Sequence, residues 1–455
     1  MKYKKYPSYK DSGVEWLGEI PSEWINTKLK YHSFIYNGNS ISDNEKENYE
    51  NLNTNFSIPY ISTKDIDSNF LSIDYDNGMR ISVNNDKFRR AKKGSSLICI
   101  EGGSAGKKLG LLEKDVCFVN KLACIDSYNN LDNKFCNYIL RSSVFNYLFS
   151  LSTTGLIPGV SINQLKDFEI NLPPLNEQQQ IANYLDEKTS KIDTLIKKQT
   201  KQIGLLKEKR QAVISHAVTK GINPNVSMKN SGVEWLGQIP EHWIVSKFGF
   251  IKTVLTDYTA NGSFADLAKN VKYKNEESYA RLVRLTDLRT NLENTDGVWI
   301  DESAYNYLKK SSLYGGEFLL ANVGAYAGLF YQMPYINKPA SLAPNMFMAK
   351  FNNTKVSEHF MSYVAKSESA YSQLKLKATA SSAQPKLNKD DFKSIVFAYP
   401  CLLEQQQIAN YLDDKISKID ILIEKSNKSI ELLKEKRTAI ISAAVTGKID
   451  VREKV

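Results

Sequence analysis

The sequence predicts an α+β chain in which two globular α/β domains are separated by two long helices, packed as an antiparallel coiled coil and arranged as a pseudo-two-fold internal repeat. Three observations carry this. EQQQIANYLD occurs at 177–186 and again at 404–413. Each copy opens a helical pattern closing on LLKEKR, at 205–210 and 432–437, so both ends share an offset of 227 residues. Between these constant stretches lie short β-prone runs broken by turn residues, the pattern of small mixed domains.

The length of 455 residues exceeds what one core serves, and two domains plus helices account for it. Boundaries follow the repeat: a tail at 1–11, a first domain at 12–175, a long helix at 176–219, a second domain at 220–402, a long helix at 403–446 and a tail at 447–455. SGVEWLGEIPSEW (12–24) returns as SGVEWLGQIPEHW (231–243) with an offset of 219, so the second half holds eight extra residues before its helix. Trp16, Trp24, Trp235 and Trp243 are expected to pack this leading segment onto its domain.

Within the first domain SIPYIST, SSLICI, LGLLEK and VCFVNKLACI read as strands. FCNYILRSSVFNYLFSL (135–151) reads as helix, followed by a polar loop at 152–161 and the run FEINLPP. The second domain repeats the order with ARLVRLTDL, GEFLLANVGA, a helical FMSYVAKSESAYSQLKL (360–376), a polar loop at 378–386 and IVFAYP. Little is identical between the two interiors, so one fold carries two different surfaces.

The long helices follow the prolines of LPP and AYP. Asn176 is placed to cap the first, whereas Leu403 at the matching place has no capping side chain. A heptad seam runs through Leu185, Ile192, Ile196, Ile203 and Leu206, and through Leu412, Ile419, Ile423, Ile430 and Leu433. A parallel, in-register pair sets Arg210 against Arg437 in one layer, so the antiparallel pair is expected. Each helix of about 41 residues extends about 60 Å.

A hydrophobic content of 42%, a charged content of 24% and a mean hydropathy of −0.39 describe a water-soluble chain. No apolar run reaches the roughly 18 residues of a membrane span, and the N-terminal MKYKKYPSYK lacks a signal-peptide core, so a cytoplasmic location is expected. The five cysteines form no CxxC and the four histidines stand apart, which disfavours zinc. Sixty Lys and Arg against fifty Asp and Glu give +10 and an isoelectric point near 9.0, favouring a polyanionic partner.

Catalytic signatures are missing. GGSAGKK (102–108) fails the phosphate-loop pattern, with Glu101 where glycine is needed and Lys108 where Ser or Thr is needed, and reads as a turn between strands. NLPPL (171–175) lacks the aromatic of a base-holding methyltransferase loop, and no glycine-rich cofactor loop or catalytic triad signature accompanies it. Binding features are better represented. KFRRAKKG (87–94) supplies Lys87, Arg89 and Arg90; Lys64, Lys107, Lys108, Lys121, Arg281, Arg284 and Arg289 extend the basic set. Thr153, Thr154, Ser381, Ser382, Gln384 and Lys386, in loops recurring at the same place in both halves, are candidates to reach phosphates or base edges.

The ordered combination of both leading segments, NLPPLNEQQQIANYLD, AYPCLLEQQQIANYLD, LLKEKRQAVISHAVTKG and LLKEKRTAIISAAVTGK, with YISTKDI and LVRLTDL, resembles the specificity subunits of type I restriction-modification systems across nearly the whole chain. The second junction departs from Leu-Pro-Pro-Leu, reading Tyr399, Pro400, Cys401, Leu402. The resemblance implies a non-catalytic subunit whose two target-recognition domains each read one half of a bipartite, asymmetric site in double-stranded DNA. It implies helices that set the gap and dock two methyltransferase subunits, with restriction subunits as further partners. No cofactor is expected on this chain; S-adenosylmethionine belongs to the methyltransferase partner. The competing reading is a coiled-coil scaffold that binds no specific DNA sequence.

Overall fold

The computed structural model describes residues 4–14, 18–153, 158–379 and 384–452. Contacts divide the chain into two units, Met1–Lys201 with Ser426–Val455 and Gln202–Lys425. The borders fall inside the long helices, so each unit holds one half of each helix.

In the first unit Ser33–Asn37, Leu122–Ser127, Ser96–Cys99 and Leu109–Leu111 form an antiparallel sheet in that order. A second sheet orders Arg80–Ser82, Ser57–Ile61, Val116–Phe118 and Arg90–Ala91, with its middle pair parallel. The second unit repeats both plans. Lys252–Asp257, Met346–Phe351, Phe318–Ala321 and Phe330–Gln332 make the antiparallel sheet. Val298–Ile300, Ala280–Val283, Ala340–Leu342 and Ser312–Leu313 make the mixed one, again with a parallel middle pair. The inner strands Ser96–Cys99 and Phe318–Ala321 are buried along their whole length, so the two antiparallel sheets share a buried strand at the same place with different side chains.

Each helical stretch predicted as one piece is two helices. Asn133–Leu140 and Ser143–Ser152 are separated where the Ser142 hydroxyl accepts from Phe145 N and donates to Ile139 O, restarting the helix. Ser367 does the same between Glu358–Lys366 and Glu368–Thr379, accepting from Ala370 N and donating to Val364 O.

The long helices run Leu175–Lys220 and Leu402–Val445. In the first unit Arg437 pairs with Asp193; in the second Arg210 pairs with Asp420 at 3.0 Å. Moving along the first helix from 193 to 210 thus means moving back along the second from 437 to 420, so the helices are antiparallel. Both the arginines and the aspartates are 227 residues apart, which makes the two ion pairs copies of each other. Leu185, Ile192 and Ile196 share a core with Ile440, Ile441 and Ala444, against which Ile430 and Leu433 pack. Leu412 and Ile419 share the other with Ile214 and Ala217, joined by half-buried Leu206 and Ile423. Ile203, also expected in the seam, is only half-buried.

The repeated EQQQ has a structural duty. Trp24 Nε1 donates to Glu177 Oε1 and Trp243 Nε1 to Glu404 Oε1, both at 3.0 Å. The buried Gln178 amide donates to Pro173 O and Asn130 O and accepts from Asp132 N; Gln405 binds Pro400 O, Lys355 O and Ser357 N in the same way. Each glutamine uses both of its N–H donors and accepts one bond, tying the start of a long helix to the loop that leads into the helix pair of its own domain.

Three expectations need correction. Asn176 lies inside the first helix, which begins at Leu175, because Pro174 O already accepts from Glu177 N and Gln178 N. Trp235 is 46% exposed and does not pack the leading segment, while Trp16 lies outside the described residues. The N-terminal stretch expected as a tail is ordered where described: Tyr6 is buried in the core and Tyr9–Asp11 pairs with Glu19–Pro21. At the other end Ile449 and Val451 are buried and Asp450 bridges to Lys4, so this stretch too belongs to the first unit.

Candidate nucleic-acid interface

Both units build the same junction between a β-hairpin turn and the polar loop singled out by sequence. In the first, the turn after Ser96–Cys99 places Gly102 and Gly106 at positive φ, where the turn needs glycine. Gly102 N donates to Pro158 O at 2.8 Å, Val160 N donates to Ile100 O at 2.9 Å, and Glu101 bridges Gly159. In the second, Gly324 N donates to Pro385 O at 2.9 Å, Leu387 N donates to Asn322 O at 2.8 Å, and Val323 bridges Lys386. GGSAGKK is therefore a hairpin turn whose counterpart is the five-residue GAYAG at 324–328.

The basic candidates separate into two groups. Lys64, Lys87, Lys107 and Lys121 are exposed. Others are engaged by the fold: Arg89 donates to Asn37 O and Oδ1, Arg90 to Val83 O, and Lys108 Nζ to Thr63 O at 2.6 Å. Arg281 donates to Leu292 O and Asn294, and Arg284 to Asp287 and Asp296 O. Burial opposes ionisation of Asp287, yet the Arg284 guanidinium and backbone hold its carboxyl below the usual range. Asp65 and Asp287 play the same part in the motifs YISTKDI and LVRLTDL, each closing a capping box just after its strand.

Arg289 is exposed and stacks on the Tyr326 ring at 3.8 Å, which ties it to the GAYAG turn. Gln384 and Lys386 are exposed beside the same turn. Thr153 donates its hydroxyl to Ser150 O at 2.6 Å, leaving its oxygen able to accept only. Thr154, Ser381 and Ser382 lie outside the described residues. Lys64 and Lys108 line one cleft with Asp65, Asp67 and Asp74, so these lysines face mixed charge.

Cys99, Cys117, Cys124 and Cys136 are buried free thiols, and Cys401 is exposed. Burial pushes Cys117 and Cys124 up to about 11 and Cys136 up to about 12, so these stay protonated and serve packing. Sequence reasoning missed Arg141 and Lys366, basic residues at the end of the first helix of each pair. Their signal was position: each stands immediately before the serine that restarts the helix.

The family model for the type I restriction modification DNA specificity domain matches residues 21–205 and 262–432, once in each half. The chain belongs to this family. The putative specificity subunit of the type I restriction enzyme MjaX of Methanocaldococcus jannaschii is 27% identical over 341 residues, 73% of this chain and 72% of that one. The MjaVIII specificity subunit of the same organism is 25% identical over 445 residues, covering 95% and 94%. A solved chain from work on complex assembly and conformational transition of the type I R-M system has a TM-score of 0.68 at 15% identity, covering 96% of this chain and 99% of that one. That likeness shows the fold.

The chain is thus a DNA sequence-specificity subunit, a non-catalytic part of a type I restriction-modification system that works with DNA and with other subunits of the system. The scaffold reading without DNA is not favoured.

Proposed function

We propose that each unit reads one half of a bipartite, asymmetric DNA site. The long helices set the gap between the halves and dock two methyltransferase subunits. One observation carries the reading: the same pair of sheets and the same turn-to-loop junction occur twice, with different side chains mounted on them. Where the first turn offers Ser104 and Lys107, the second offers Tyr326, stacked under Arg289. Exposed lysines are suited to phosphates and fix register, while unlike polar groups at the turns suit unlike bases.

Two docked partners of one kind need two like surfaces on the helices. Leu195 and Leu422 are exposed, as are Leu205 and Leu432, and each pair is 227 residues apart. Such repeated apolar positions support two copies of one partner. The chemistry then belongs to those subunits, which bind S-adenosylmethionine and methylate adenine; restriction subunits join the same complex. The setting is cytoplasmic; no helix among the described residues is long and apolar enough to cross a membrane.

Genome-wide mapping of modified adenines with and without this chain tests the reading. The expected result is loss of one split motif when the chain is removed. Persistence of every motif contradicts it.

A further inference from the structure

The first unit contains an open-mouthed cavity of about 450 Å³ bounded by the hairpin turn at Gly106, the helix Ser143–Ser152 and the C-terminal half of the second long helix. Its size is that of a small-molecule site. Among the described residues lining it none is acidic, and three, Lys107, Arg141 and Arg437, are basic. Arg437 is already engaged by Asp193 and Asn69 O. Arg141 is different. Its Nε is buried and has no hydrogen-bond partner; burial is the main influence opposing its charge, with Arg437 adding repulsion and Tyr138, Asp193 and Asp186 favouring the charge. One unpaired N–H on a buried guanidinium is costly, and an anion held in the cavity beside it offsets part of that cost through its charge.

We propose that this cavity binds a phosphate group, held by Arg141 with Lys107 and the Asn146 amide as further donors. A guanidinium fork matches phosphate oxygens in shape and charge, and exposed Lys107 adds a second cation to the lining. The remaining wall suits what the phosphate is attached to. Leu109 and Phe149 give it an apolar side, while the Ser150 and Thr153 hydroxyls already donate to backbone carbonyls and so can only accept. A nucleoside monophosphate, whose sugar hydroxyls donate, meets both features; a phosphate of bound DNA shares the anchoring chemistry. The matching place in the second unit carries Lys366 over Tyr363 where the first has Arg141 over Tyr138; an ammonium there lacks the guanidinium fork, which makes this lysine the control position.

The test is calorimetric titration of the full chain with inorganic phosphate and with AMP, in the absence of DNA. The wild-type chain is compared with Arg141→Gln, Lys107→Gln and, as a control, Lys366→Gln. The expected result is saturable binding, weakened at least about tenfold by Arg141→Gln and a few-fold by Lys107→Gln, and unchanged by Lys366→Gln. Lys107 is exposed on a turn, so its variant keeps the test decisive if Arg141→Gln fails to fold. If neither small anion binds but both variants lower the salt slope of DNA binding by about 0.9 each, the phosphate is a DNA phosphate. No binding of either anion together with an unchanged DNA salt slope overturns the proposal, as does small-anion binding that both variants leave intact. The small-anion arm uses no DNA and so stands or falls separately from sequence recognition.

Discussion

Inserting four residues after Gln199 and four after Ser426 widens the gap in the methylated DNA motif by about two base pairs and leaves both half-sites unchanged. Four helical residues add about 6 Å and turn the helix by about one full turn, so the apolar seam keeps nearly the same face. Six ångströms correspond to roughly two base pairs at 3.4 Å each. The insertion points fall near the borders of the two units, away from the turns and loops proposed to meet DNA. Methylation mapping of the reconstituted complex reads the result directly. An unchanged gap with unchanged half-sites removes the helices from the role of spacer.

Replacing Lys64, Lys87 and Lys121 together by glutamine weakens binding of the assembled complex to duplex DNA on the order of a hundredfold near physiological salt, with the same loss on every sequence. All three are exposed and none is held by a backbone carbonyl in the way that Arg89, Arg90 and Lys108 are. Each phosphate contact removed flattens the logarithmic salt dependence by about 0.9, so the triple variant loses about 2.7. Fluorescence anisotropy at several salt concentrations measures both quantities. Wild-type affinity with an unchanged slope shows that these lysines face away from DNA.

The sequence made the frame legible for a physical reason: two long helices with an arginine in the same heptad layer exclude a parallel pairing. It did not announce that each arginine meets an aspartate from the opposite copy, Asp193 or Asp420, since that contact depends on register across two helices. The interior strands were readable as apolar runs, but their order was not, because the middle pair of each mixed sheet is parallel and joins strands far apart in sequence. The single helical stretch at 135–151 hid its break, since Ser142 looks like any polar residue until its hydroxyl is seen capping the next turn.

The candidate interface was legible by composition and not by role. A run such as KFRRAKKG looks uniformly suited to phosphate, yet Arg89 and Arg90 donate to backbone carbonyls of neighbouring segments. Side-chain bonds to backbone leave no signature in residue types. Arg281 and Arg284 likewise converge on the buried Asp287 carboxylate, a contact that Arg281 makes only through the fold. The recurrence of the polar loop before each long helix was the better guide, since both copies join the same hairpin turn.

The most direct measurement replaces residues 29–168 by residues 248–395, so that both units carry the second interior on an unchanged frame, and maps the adenines methylated by the assembled complex. If each unit reads its own half-site and the antiparallel helices present the two interiors in opposite senses, the motif becomes symmetric. It then consists of the second half-site and its inverted repeat, separated by the original gap. Retention of the first half-site in the mapped motif contradicts the account.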